Sequence, residues 1–117
     1  MISIALIIGL GALIIAALAP FWKKLVEWIK KAVDKIKQAL GLVVEGTRTF
    51  IMKTREGLKQ RSKYYNKNKL TNEWEENVLT KAVDESEVPA DILAKAKRAN
   101  LDEEVSTTEE LKLQLGA

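Results

Sequence analysis

The chain contains no cysteine and no histidine, and only two prolines, Pro20 and Pro89. Without cysteine there is no disulfide framework and no thiol nucleophile; without histidine there is no Ser-His-Asp triad and no imidazole proton shuttle, and zinc sites of the usual Cys/His kind go with both. Motifs are missing as well: there is no phosphate loop, no dinucleotide fingerprint and no HExxH. The serines, Ser3, Ser62, Ser86 and Ser106, have no histidine to activate them. Two carboxylate clusters, Asp84, Glu85, Glu87 and Asp102, Glu103, Glu104, lack the 1,3,5,12 spacing and the glycine of a calcium loop and read as solvated acidic turns. The expectation is a protein that is not an enzyme and has no metal or cofactor.

A further absence is local. The first 22 residues carry no charged side chain, although Lys, Arg, Asp and Glu make up 30% of the 117 residues. The stretch "MISIALIIGLGALIIAALA" holds six Ile and four Leu. As a helix it is roughly 28 Å long, close to the hydrocarbon thickness of a bilayer. On an insertion scale those residues contribute on the order of −3 to −6 kcal/mol, so a transmembrane helix is expected over residues 1–20. Ala17-Leu18-Ala19 has the small-x-small pattern of a signal cleavage site, but no Lys or Arg precedes the apolar run and Pro20 follows the would-be cut. A buried helix of a soluble protein is the other alternative, and the remaining chain of about 95 residues is short for wrapping a helix that is apolar all round.

Lys23, Lys24, Lys30 and Lys31 all follow the span. The positive-inside rule then puts Met1 outside and residues 23–117 in the cytoplasm, as a single-pass protein of the bacterial-type inner membrane with almost nothing on the far side. Within the span Ala5, Gly9, Ala12, Ala16 and Ala19 repeat at a 4,3,4,3 spacing that aligns them on one helix face. Such a stripe lets two helix backbones approach and is a candidate packing seam, implying a homo-oligomer or a membrane partner.

Residues 21–41 read as a basic amphipathic helix. Projected at helical period, Trp22, Leu25, Val26, Trp28, Ile29, Ala32, Val33, Ile36, Ala39 and Leu40 share one arc, while Lys23, Lys24, Lys30, Lys31, Lys35 and Lys37 fall opposite with Glu27, Asp34 and Gln38. Pro20 suits the first turn and Gly41 the stop. Placed directly after a span, this pattern predicts an interfacial helix on a leaflet of anionic headgroups, with Phe21, Trp22 and Trp28 as aromatic belt and the lysines as cationic face. The same arc would also pack on the chain's own C-terminal part or on a sister helix, because its spacing is compatible with a heptad seam.

Residues 42–117 are expected to form a small cytoplasmic α+β domain. "TRTFIMKT", "LKQRSKYY" and "EWEENVLTKAV" are rich in strand formers and are separated by a turn at Glu56-Gly57 and a loop at "NKNKLTN", which predicts an antiparallel β-meander across 47–83. Helical spacing of Phe50, Ile51, Thr54 and Leu58 keeps an all-α alternative open. Tyr64, Tyr65 and Trp74 read as core. "ESEVPADILAKAKRA" predicts a helix with Ile92, Leu93 and Ala96 inward. "STTEELKLQL" mixes a helix start with strand-like alternation of Leu111, Leu113 and Leu115, so both remain open.

Charge divides the chain further. Residues 23–70 sum to +10 and residues 71–117 to −7, which points to an anionic surface beside the first half. "TREGLKQRSKYYNKNK" mixes Arg, Lys and Tyr as single-strand nucleic-acid binders do, but beside a membrane the lipid headgroups are the nearer polyanion and nucleic acid is disfavoured. The function expected is that of a membrane-anchored interaction or recruitment protein whose cytoplasmic domain binds an as yet unknown protein partner. Two alternatives stay open: a membrane-permeabilising, pore-forming toxin or regulated effector, and a soluble oligomeric structural protein.

Overall fold

The computed structural model describes residues 19–114. The span expected over 1–20, and with it the seam residues Ala5, Gly9, Ala12 and Ala16, falls almost wholly outside them. Among the described residues no helix is long and apolar enough to cross a membrane. Ala19, the last seam residue, is exposed and extended (φ −60°, ψ 152°), as the residue before a proline tends to be, so it does not sit on a helix face.

Helix α1 runs Pro20–Leu40. Pro20 takes the first turn, where its missing N–H has no intrahelical partner to lose. Gly41 ends the helix in the left-handed region (φ 68°), its N–H donating to Lys37 C=O at 2.9 Å. An extended connector leads into β1 (Gly46–Thr54), which pairs along its whole length with β2 (Gly57–Lys67) across the two-residue turn Arg55-Glu56. Strand β3 (Trp74–Ala82) continues the meander on the other side of β2. A 3-10 turn at Glu85–Glu87, capped by the Asp84 side chain, leads to α2 (Ala90–Arg98). The short β4 (Val105–Ser106) then pairs with β1, and α3 (Thr108–Gln114) closes the described chain. The result is an α+β fold around an antiparallel sheet of order β3-β2-β1-β4; the all-α alternative does not hold.

Strand alternation gives the sheet two unlike faces. Thr47, Thr49 and Ile51 of β1 lie beside Tyr64, Ser62 and Gln60 of β2 on one face, and on it the core forms. Phe21, Trp22, Leu25, Val26, Ile29, Ala32 and Ile36 of α1 are buried together with Ile51, Leu58, Tyr64, Val88, Ile92, Ala96 and Leu111. The apolar arc of α1 is thus turned onto the chain's own sheet. That differs from the expectation of lipid contact: Phe21 and Trp22 are core residues, 7% and 4% exposed, and residues 21–41 share one core with the domain that follows. The reason lies in the sheet, whose inner face carries Ile51, Leu58 and Tyr64; packing the arc against them removes apolar surface of both layers from water.

Candidate functional site

Two cationic surfaces result, one on each side of the molecule. The first is the outer face of α1. Lys23, Lys24, Lys31, Lys35 and Lys37 are exposed and Lys30 is half-buried, all on the side that the core does not use. Lys24 Nζ contacts Glu87 Oε2 at 3.2 Å. Trp28 is half-buried at the flank of the helix, with Lys81 Nζ 4.6 Å from its ring centroid. Burial lowers the Lys81 pKa and the nearby Lys24 lowers it further, against an opposing effect of Glu87. Phe21 and Trp22 meet edge to face at 4.9 Å. The structure therefore separates the residues expected at a membrane interface: the lysines face outward together, and the aromatics face inward or sideways.

The second surface is the sheet face opposite the helices. Arg48, Phe50 and Met52 of β1, Lys59, Arg61, Lys63, Tyr65 and Lys67 of β2, and Trp74, Glu76, Val78, Thr80 and Ala82 of β3 share it by register, Glu76 beside Tyr65. Met52 and Tyr65 are buried here without joining the main core. Arg48 lies 5.7 Å from the Tyr65 ring centroid and Lys63 Nζ 5.0 Å from that of Phe50. Trp74, expected in the core, is only half-buried because β3 is an edge strand. The two tyrosines of "KYY" diverge to opposite faces, so they do not form a joint stacking platform for bases.

Glu104 lies across this face. Its carboxylate takes Arg61 Nη1 at 2.8 Å and Lys63 Nζ at 2.9 Å. Burial acts to raise its pKa, but the hydrogen bonds and charges of Arg61 and Lys63 outweigh that and leave it below the ordinary value. Here sequence reasoning saw only a solvated acidic cluster; the charge opposite Arg61 and Lys63 comes from 41 and more residues away. Four other carboxylates of the two clusters are engaged as well, Glu87 through Lys24. Asp84 accepts from the Ser86 N–H and hydroxyl, which lowers its pKa. Glu85 pairs with Lys97 and Glu103 accepts from Asn100.

A shallow cleft of about 490 Å³ lies between the connector after α1 and the β2–β3 turn, lined by residues that include Leu42, Val43, Asn66, Lys69 and Glu75. Asn66 Nδ2 donates to Glu75 Oε1 at 3.0 Å, while its buried Oδ1 has no donor among the described residues. Elsewhere the polar interior pairs internally: Ser62 Oγ and Tyr64 Oη are 2.7 Å apart, and the Thr49 and Thr107 hydroxyls 2.8 Å. At neutral pH these surfaces offer positive charge and hydrogen-bond donors, which suits them to anions. No protein family, curated protein or solved structure matches the chain.

Proposed function

We propose that the chain is a non-enzymatic, membrane-tethered recruitment protein. The apolar N-terminal segment crosses the inner membrane once with Met1 outside, the lysine face of α1 lies on the anionic cytoplasmic leaflet, and the uncovered sheet face is held out to a protein partner. The observation that carries this reading is the alignment of the α1 lysines on one outward face that begins directly after the uncharged segment. Near an anionic leaflet each lysine contributes roughly 1 kcal/mol, which suffices to orient a domain already tethered. The partner chemistry that fits the far side is an acidic segment, since a carboxylate, that of Glu104, already bridges Arg61 and Lys63 there. Permeabilisation is less well supported, because a helix that lines a pore needs its apolar face for lipid and that of α1 is occupied by the core.

The test is replacement of Lys23, Lys24, Lys30 and Lys31 by Glu in the full chain, followed by fractionation of cells and alkylation of a reporter Leu70→Cys with a membrane-impermeant reagent. Leu70 is 97% exposed and the chain has no other thiol. Wild-type orientation predicts a carbonate-resistant membrane protein that is unreactive at position 70 in intact cells. The charge-reversed chain is expected to detach or to invert and react. Unchanged fractionation and orientation, or recovery of the wild-type chain in the soluble fraction without detergent, would overturn the reading.

A further inference from the structure

The two edges of the sheet are protected unequally. On one side β4 is only two residues long, a length that offers little to a foreign strand. On the other side β3 presents nine residues with no proline and an unbroken register from Lys59↔Ala82 to Lys67↔Trp74. At its middle Val78 and Leu79 are 44% and 40% exposed. The Val83 N–H donates to Leu58 C=O and the Asn68 N–H to Glu73 C=O, one at each end of this pairing. Odd-numbered residues of β3 therefore turn their backbone groups toward β2, and Trp74, Glu76, Val78, Thr80 and Ala82 turn theirs outward.

We propose that β3 pairs antiparallel with β3 of a second copy about a two-fold axis at Val78, joining the two sheets into one. In that register Glu76 meets the partner's Thr80 and Trp74 the partner's Ala82, so every outward N–H and C=O of β3 is matched. The charges that would repel a parallel or shifted copy become complementary: Glu75 faces the partner's Lys81, and this pair occurs twice by symmetry. The Val78 side chains meet each other on the uncovered face. Directly opposed residues keep their faces, so both α1 helices lie on the same side of the joined sheet and the axis is perpendicular to it. A dimer so built points both lysine faces in one direction, which is the symmetry that two chains in one membrane require; this consequence, unlike the pairing itself, rests on the tethered reading above.

Cross-linking of the full chain in native membranes tests the pairing. Across the axis the two Val78 Cα atoms would be about 5.5 Å apart, within disulfide range. Val78→Cys is expected to give a covalent dimer on mild oxidation, whereas Leu70→Cys, on the more exposed turn, gives none. In parallel, Val78→Pro removes an N–H that the fold does not use. In detergent it should halve the protein mass measured by light scattering while leaving the circular dichroism unchanged. Cross-linking at 78 no better than at 70, or a Val78→Pro chain that keeps the wild-type mass, overturns the proposal. Neither readout depends on membrane orientation, so failure here and failure of the tethering test are distinguishable.

Discussion

Tyr64 is fully buried beneath α1 with its hydroxyl on Ser62, and burial pushes its pKa up to about 12 even though the Ser62 hydrogen bond acts the other way. Unfolding returns the phenol to its ordinary value near ~10, so Tyr64 stabilises the fold fully below that pH and the contribution is lost as pH rises toward its folded value. Tyr65, also raised to about 12 by burial and by Glu76, acts in the same sense. Tyr64→Phe should cost about 1 kcal/mol at neutral pH through the lost hydrogen bond. It should also flatten the fall in melting temperature between pH 9 and 12; an equally steep fall would show that Tyr64 does not couple to folding. Glu104 works in the opposite direction. Its lowered pKa contributes stability above the ordinary carboxylate value, and this is lost as pH falls through the folded value. Glu104→Gln is therefore expected to be less stable than wild type by about 1 to 2 kcal/mol at pH 7, with the gap closing on acidification, as followed by urea midpoints from pH 7 down to 2.5.

At the scale of elements, helix α1 shows what a hydrophobic pattern reveals and what it leaves open. Its boundaries, its two faces and its glycine stop were legible from period and capping chemistry. What covers the apolar face was not, because an amphipathic arc records that a face avoids water and not whether lipid or protein shields it. The meander was legible too, from strand formers and turns, whereas the depth of Trp74 depended on β3 being an edge, which is a property of the sheet and not of the strand. In the C-terminal stretch only the helix start held: Leu111 and Leu113, whose alternation suggested a strand, lie in α3, and Leu115 falls outside the described residues. Val105 and Ser106 pair with β1; the helix that follows buries Leu111 and leaves Leu113 74% exposed. Thr107 and Thr108, legible only as a helix start, also bind Thr49 at the sheet edge. The stop of α1 can be tested on its own. Gly41 has a φ of 68° and open space around the place of a Cβ, so Gly41→Ala meets backbone strain and no clash. The expected loss is about 1 to 2 kcal/mol in chemical denaturation; no loss would mean that the cap relaxes without penalty.

On the scale of the molecule, the charge division of the chain becomes a layered arrangement: a lysine-bearing helical layer, a core, and a sheet face rich in Arg and Lys on which Glu76 and Glu104 from the acidic half also lie. A core common to α1 and the sheet has a consequence that an independent surface helix does not. Ile29 of α1 is fully buried with Ile51 and Tyr64 of the sheet in the same cluster, so the two layers should unfold together. Ile29→Ala removes most of a packed side chain from that junction and should cost about 2 to 5 kcal/mol. For a small domain, whose whole stability is about 5 to 15 kcal/mol, that is a large fraction. The measurement is urea unfolding of the full chain in detergent, read by far-ultraviolet circular dichroism for helix content and by near-ultraviolet signals from the buried β2 tyrosines Tyr64 and Tyr65. If α1 belongs to the core, both transitions move to lower urea by the same amount and stay coincident. A helix lying on lipid by itself would instead give a shift confined to the helical signal, with the tyrosine environment unmoved, and that outcome would return the apolar arc to the membrane.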